Sequence, residues 1–449
     1  MKINSKSDLE FMERIQREVT AHRGAACSDE TSYTVDDAWN DTSKLAEVWH
    51  RAGQTSAYAS LGTFSTQAFQ DLPATSKDDL KARPLDFLRV PVDAGLKYYQ
   101  TTGTTGAPTP TPRTAQDMIA NTVSVAEAWR PMLADGGHRA LILLPSDIVP
   151  VADLMVGVCE FLGVPHAKAY PYTTGISDWD RIIGLWEVFR PTVLFVAPGV
   201  LLEFSQVMKR RGLLDRLSQS VELLMLLGEV STPELRAMAG QWWNARAYDA
   251  SYGSTESGTL AACCAQDRLH LLRGANYFEI ANDDGIVPAE PGRDGRLVVT
   301  PLNNDARPLL RLDMGDEVSL TDGCPCGDKA PVVTVHGRGS DGTEIKGSRV
   351  RTRDLEGVVY ANSDVMGYLI EVDQGGTWAR LLLERDPSTD REAEPAKNDL
   401  VQRRTGERLG FRWDEVRFVN RLPVTTKSGG SQKSWKRSNF RVVDEVVPA

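Results

Sequence analysis

Cysteine is scarce in this 449-residue chain, with six in all, and no run of about 18 apolar residues occurs anywhere. The scarcity excludes a disulfide framework, and the lack of a long apolar run argues against a membrane-spanning helix. The opening residues, MKINSKSDLEFMERIQREV, show no apolar core of signal-peptide length. A surplus of positive charge is also missing, since 51 Lys and Arg stand against 61 Asp and Glu, for a formal net charge of −10. That balance disfavours nucleic acid or an anionic membrane as the principal partner. The expectation is a cytoplasmic protein with no nucleic-acid and no membrane partner. Repeats and long low-complexity tracts are absent as well. What remains is ordinary globular composition, 41% hydrophobic and 25% charged, in a chain long enough for about two to four domains.

Apolar positions at Leu9, Met12, Ile15 and Val19 predict a helix over 7–23, and SKDDLKAR at 76–83 predicts a short capped helix. From residue 140 onward, short apolar runs recur at 140–145, 166–171, 192–198, 221–228 and 247–253. Amphipathic stretches such as 178–189 and 233–243 lie between them. Strand and helix alternating at this spacing predict an α/β protein with Rossmann-like parallel sheet layers. After 270 the pattern turns to short strands and turns (YFEIAND, GRLVVTPL, EVSLTDG, PVVTVHG), which predicts a small antiparallel unit. The reading is a large N-terminal domain over 1–336, a Gly-rich hinge over 337–347, and a small mobile α+β domain over 348–449.

The strongest chemical signal is Thr101-Thr102-Gly103-Thr104-Thr105-Gly106-Ala107-Pro108-Thr109. Glycines allow close backbone approach, and hydroxyl and N–H groups donate to phosphate oxygens. A Walker loop is excluded because the Lys-Ser/Thr ending is missing. Gly337-x-Gly339-x-x-Gly342 formally fits a dinucleotide fingerprint, but no clean amphipathic helix follows, so a hinge is the better reading. Cys264-x5-His270 and Cys324-x-Cys326 offer four soft or borderline ligands in two short clips, the donor set of a structural tetrahedral zinc site, with Cys263 as the alternative to Cys264.

Four ordered segments resemble the adenylate-forming enzymes, specifically their phenylacetate–coenzyme A ligase branch: the Thr/Gly loop at 102–108, Tyr252-Gly253-Ser254-Thr255-Glu256, Arg311 to Asp316, and Gly337-Arg338. Leu72 to Leu80 and Cys324-Pro325-Cys326-Gly327 resemble features of that branch. The resemblance implies a nucleotide site of Thr101, Thr102, Gly103, Thr104, Thr105, Gly106, Gly228, Glu229, Val230, Tyr252, Gly253, Ser254, Thr255, Asp316 and Arg338. Glu256 would hold Mg²⁺ on ATP, Asp316 would accept the ribose hydroxyls, and Gly228 would let the adenine lie flat on the backbone. Lys433, Glu256 and Thr102 are the expected catalytic group, with Lys436 and Lys427 as alternatives to Lys433 because the usual Gly-Lys pair is altered here. The loop also lacks the lysine common beside its proline, a place Arg113 could fill. Tyr170, Tyr172, Gly175 and Tyr252 are the expected acid pocket, and the tyrosines point to an aromatic acid.

The resemblance thus implies a ligase that uses ATP and Mg²⁺ to turn a small carboxylic acid into an acyl adenylate, releases pyrophosphate, and passes the acyl group to coenzyme A. Transfer to a carrier-protein thiol or an amine is the alternative within that class. A catalytically silent nucleotide-binding protein is the alternative outside it. A structural zinc and a homodimer complete the expectations.

Overall fold

The computed structural model describes residues 5–23, 42–101, 108–134, 136–173, 175–338, 342–423 and 439–443. Two compact units emerge, residues 1–170 with 249–339, and residues 171–248 with 340–449.

The first unit opens with the helix Lys6–Arg23, whose Ile15 and Val19 pack with Ile119, Ala120 and Val123 of the helix Ala115–Leu133. That second helix starts where Thr114 accepts from the Asp117 N–H while the Asp117 carboxylate accepts from the Thr114 N–H, so two otherwise orphaned donors are met. The strands Ala140–Leu143 and His166–Lys168 pair in parallel, and all four residues of the former are buried, as expected for a strand covered on both faces.

The same unit carries one eight-stranded antiparallel sheet, larger than the small unit expected from the strand pattern. Its strands run in the order Gly285–Pro288, Asn276–Asn282, Asp294–Pro301, Leu312–Thr321, Val332–Arg338, Leu269–Leu271, Gly258–Cys263 and Ser251–Ser254. The segment 247–253, read from sequence as one strand, is two: Arg246–Asp249 lies beside Leu223–Leu226, while Ser251–Ser254 pairs with Gly258–Cys263. Composition alone does not reveal a change of sheet in mid-run.

In the second unit, Val193–Val196 and Leu223–Leu226 pair in parallel, with the helices Pro198–Arg210 and Pro233–Trp243 between and after them. Trp186, Phe204 and Trp243 pack as an aromatic core, all nearly excluded from solvent. The C-terminal part of this unit is a four-stranded mixed sheet, in the order Glu415–Val419, Ala379–Arg385, Val365–Val372 and Phe440–Val442, with the helices Thr352–Asn362 and Glu394–Leu409. The expected α+β character is therefore observed. Among the described residues no helix is long and apolar enough to cross a membrane.

Arg311, read from sequence as the first residue of the Arg311-to-Asp316 element, is 2% exposed and acts as a strut in the first unit. Its Nε and Nη2 donate to the two Glu279 carboxylate oxygens at 3.1 and 3.0 Å, and its Nη1 donates to the Phe69, Gln70 and Leu72 carbonyls. Removing one partner of a buried, fully bonded ion pair leaves an uncompensated charge. Arg311→Met is therefore expected to lower unfolding free energy by about 3–5 kcal/mol in urea titration, and adding Glu279→Gln should restore part of that loss. A loss under about 1 kcal/mol would show that the pair is not a strut.

Candidate active site and metal cluster

Residues 251–258 build the first part of the site. A Cβ at Gly253 would lie 2.3 Å from the Gly258 carbonyl oxygen and 2.9 Å from the Thr259 Cα, so only glycine lets the two strands come this close. The pairing register shifts between Tyr252 and Gly253, and Ser254 Oγ accepts from the Ser257 N–H at 3.1 Å, closing a turn with Thr255 and Glu256 at its tip. Arg113, mostly buried, clamps that turn from the side: its Nη2 donates to the Thr255 carbonyl at 2.7 Å and to the Glu256 carbonyl at 3.2 Å. Its guanidinium is thus engaged in holding the Glu256 turn.

Tyr252 extends from this hairpin to Asp316, donating its hydroxyl to Oδ2 at 2.6 Å. Burial and then the Asp316 carboxylate push this phenol well above its ordinary range, so it stays a donor. Asp316 and Arg338 are cross-strand neighbours on Leu312–Thr321 and Val332–Arg338, and Arg338 Nε lies 3.6 Å from Asp316 Oδ1. Three residues chosen from separate sequence segments, Tyr252, Asp316 and Arg338, therefore meet in one place.

A fourth member was not assigned a role from sequence. Lys77, at the start of the helix Lys77–Ala82, donates its ammonium to the Met314 carbonyl at 2.6 Å. Burial lowers its affinity for a proton, and Asp316 and Glu256 raise it in part. The sequence signal was the Ser76 cap: Ser76 Oγ accepts from the Asp79 N–H at 3.0 Å, which fixes where the helix begins and so where Lys77 projects.

The hydroxyl-rich loop springs from the antiparallel pair Lys97–Gln100 and Pro110–Arg113. Thr101 and Thr109 close its neck, through Thr101 N–H to Thr109 O at 3.2 Å and Thr109 N–H to Thr101 Oγ1 at 2.9 Å. Thr102, Gly103, Thr104, Thr105 and Gly106 lie outside the described residues, as do Lys427, Lys433 and Lys436. Tyr170 is half-buried in the first unit.

The second unit carries the remaining candidates. Gly228 follows the strand Leu223–Leu226 with φ +86°, a conformation open to glycine. Glu229 Oε2 accepts from the Gly199 N–H at 2.9 Å at the start of Pro198–Arg210, and Val230 is exposed. Tyr172 donates to Glu203, and Gly175 has φ +73°.

Apart from these, Cys264, His270, Cys324 and Cys326 of the first unit bring their ligand atoms within 4.8 Å of one another. Cys264 Sγ and Cys324 Sγ are 3.7 Å apart, and Cys326 Sγ and His270 Nε2 are 3.3 Å apart. A tetrahedral ion with metal–sulfur bonds of about 2.3 Å would set sulfurs about 3.8 Å apart, whereas a disulfide would set them at about 2.05 Å, so the spacing fits a shared metal. His270 Nδ1 donates to the Ala330 carbonyl at 2.8 Å, which leaves Nε2 bare toward the sulfurs. The Gln266 and Asp328 N–H groups donate to Cys264 and Cys326 sulfur, each at 3.4 Å. The neighbouring Cys263 is fully buried outside this group, since successive side chains on a strand face opposite ways.

No protein-family model matches the chain. The chain is similar to phenylacetate-coenzyme A ligase of Thermus thermophilus, 27% identical over 318 residues that cover 68% of this chain and 69% of that protein. The enzyme of the same name from Escherichia coli K12 is 25% identical over 293 residues, covering 63% and 64%. Among solved structures, 2-hydroxyisobutyryl-CoA ligase in the postadenylation state, in complex with R3-HIB-AMP, has a TM-score of 0.71 at 18% identity, over 98% of this chain and 89% of that one. An acyl acid amido synthetase in complex with 2,4-DB has a TM-score of 0.63 at 14% identity, over 98% and 94%. At these identities the two structures speak to the fold. The chain is thus similar in sequence to phenylacetate-coenzyme A ligases and shares its fold with an acyl-CoA ligase.

Because Asp316 raises the proton affinity of Lys77 while burial lowers it, Asp316→Asn is expected to make Lys77 react with amine-selective acylating reagents at lower pH than in the parent. Peptide mass spectrometry across a pH series reads this directly. An unchanged profile at Lys77 would mean that the two groups are not coupled.

Proposed function

We propose that the chain is an AMP-forming acid–thiol ligase. A small carboxylic acid attacks the α-phosphate of ATP, a phosphorus–oxygen bond to pyrophosphate breaks, and an acyl adenylate forms. The sulfur of coenzyme A then attacks the acyl carbon and AMP leaves. The observation that carries this reading is the convergence of Tyr252, Asp316 and Arg338 beside the Glu256 turn. Asp316, with one oxygen held by Tyr252 and the other beside Arg338, would accept ribose hydroxyls, a task that suits a carboxylate with two oxygens. Arg338 lies where a second polar contact to the ribose or phosphate would fall.

Glu256 is the hard-oxygen ligand for Mg²⁺, an ion that neutralises phosphate charge when bound. Thr101 and the hydroxyls and N–H groups of 102–106 cradle the phosphates, and Lys433 supplies the cation beside the α-phosphate. Gly228, Glu229 and Val230 lie along the adenine, and Tyr170, Tyr172 and Gly175 with Tyr252 line the acid pocket. The residues 337–347 form the hinge on which the C-terminal lid turns. Aromatic acids are the first substrates to try, a carrier-protein thiol or an amine the second class of acceptor, and a homodimer the assembly state to examine. A cytoplasmic location belongs to the same reading.

Pyrophosphate release from Mg·ATP should appear only with an accepted acid and should turn into thioester formation when coenzyme A is added. Glu256→Gln should cut kcat for adenylation, with Asp316→Asn acting mainly on the KM for ATP, because the ribose does not react. Release independent of acid, or wild-type kinetics in both variants, would contradict the reading.

We further propose that Cys264, His270, Cys324 and Cys326 hold a structural Zn²⁺, which would tie the strand pair Gly258–Cys263 and Leu269–Leu271 to the 324–328 turn. Elemental analysis of protein purified without chelator is expected to give about one zinc per chain. Replacing Cys324 and Cys326 by Ser should lower the thermal midpoint more than nucleotide affinity. A metal-free preparation with the parent's thermal midpoint would rule the zinc out.

A further inference from the structure

Arg307 is incompletely satisfied in a way that its neighbour Arg311 is not. Its side chain is 1% exposed, and its Nη2 donates to the Pro110 carbonyl and, at 3.0 Å, to the Thr111 hydroxyl. Among the described residues, its buried Nε and Nη1 have no hydrogen-bond partner. Arg311 in the same unit satisfies all three nitrogens, two of them on a carboxylate. A guanidinium carries five N–H donors, and leaving several dry inside a protein is expensive, so such a group calls for an anion that arrives later. Burial, with Arg113 adding to it, lowers the Arg307 pKa to about 10, while Glu256 and Asp117 act the other way.

Its position narrows the kind of anion. Pro110 and Thr111 begin the strand that leaves the hydroxyl-rich loop, and the Glu256 carboxylate is within electrostatic reach. Asn304, three residues earlier, donates to the Glu256 carbonyl at 3.4 Å. The run 101–109 contains no Lys or Arg, and Arg113 is already committed to the Thr255 and Glu256 carbonyls. A polyphosphate held near Glu256 therefore has no cation from that run; among the described residues Lys77 and Arg307 are buried cations that feel Glu256, and Arg307 is the one with buried donors left unmet.

We infer that Arg307 is the fixed buried cation behind the polyphosphate site, lending the phosphate chain of a nucleotide or pyrophosphate a charge that the fold leaves short of partners. This rests on the nucleotide-binding reading above and deepens it. Arg307 is a positioning residue that acts through its charge in a dry setting, so its effect scales with the charge of the ligand.

Calorimetry on the intact chain with Mg·ATP, pyrophosphate, AMP and adenosine tests it. Arg307→Met should weaken Mg·ATP and pyrophosphate about tenfold or more, AMP less, and adenosine under about threefold. The thermal midpoint of the free protein should hold or rise, because the unmet donors are gone. Arg307→Lys, which keeps the charge, should retain most Mg·ATP affinity and serves alone if the Met variant does not fold. Equal losses for adenosine and Mg·ATP, or a lower midpoint with unchanged ligand ranking, would make Arg307 a strut and overturn the inference. If the parent binds neither AMP nor Mg·ATP, the nucleotide reading itself falls.

Discussion

The Arg311–Glu279 ion pair holds the first unit's site in register. Arg311 adopts φ +49°, a left-handed conformation that side chains other than glycine take only when their surroundings enforce it. The enforcement is visible: a two-pronged contact to Glu279, three carbonyls from 69–72, and its own N–H donating to Thr300 Oγ1 at 2.9 Å. Two consequences follow. The strand Leu312–Thr321 starts at a fixed point and so delivers Asp316 to Tyr252. The 69–75 segment is pinned alongside, with the Thr75 N–H on the Arg311 carbonyl and the Asp313 N–H on the Thr75 carbonyl, and so delivers Lys77 to Met314. A single buried side chain thus places an anion and a cation of the same site.

Much of this was legible in the sequence, for reasons that differ by residue. Tyr252 and Gly253 were readable because they belong to the Tyr252-to-Glu256 segment that resembles the adenylate-forming enzymes; the close backbone approach at Gly253 gives the physical reason only once the strands are paired. The helices at 178–189 and 233–243 were readable because an amphipathic period survives without knowledge of the fold, and they form as Trp179–Phe189 and Pro233–Trp243. Cys264, preferred over Cys263 in the sequence, is the one that meets Cys324, and the structural reason is that adjacent side chains face opposite ways along the chain there. Lys77 escaped because its partner lies 237 residues away. Arg311 was recognised as part of a pattern, but its work as a strut depends on Glu279 and the 69–72 carbonyls, which no local window contains.

The site also shows how charge is rationed. The hydroxyl-rich run brings donors without charge, Arg113 is committed to the Glu256 turn, and Arg338 is half-exposed beside Asp316. On the proposed reading, positive charge for a phosphate ligand therefore has to come from outside the loop.

In the proposed reaction a carboxylate oxygen of the acid becomes bonded to the α-phosphorus of ATP, and isotope transfer tests this directly. An accepted acid labelled with heavy oxygen in its carboxylate, turned over with Mg·ATP and coenzyme A, should leave one label in AMP and none in pyrophosphate. Label that stays entirely in the acid and its product, or that appears in inorganic phosphate with ADP formed in place of AMP, would contradict the account.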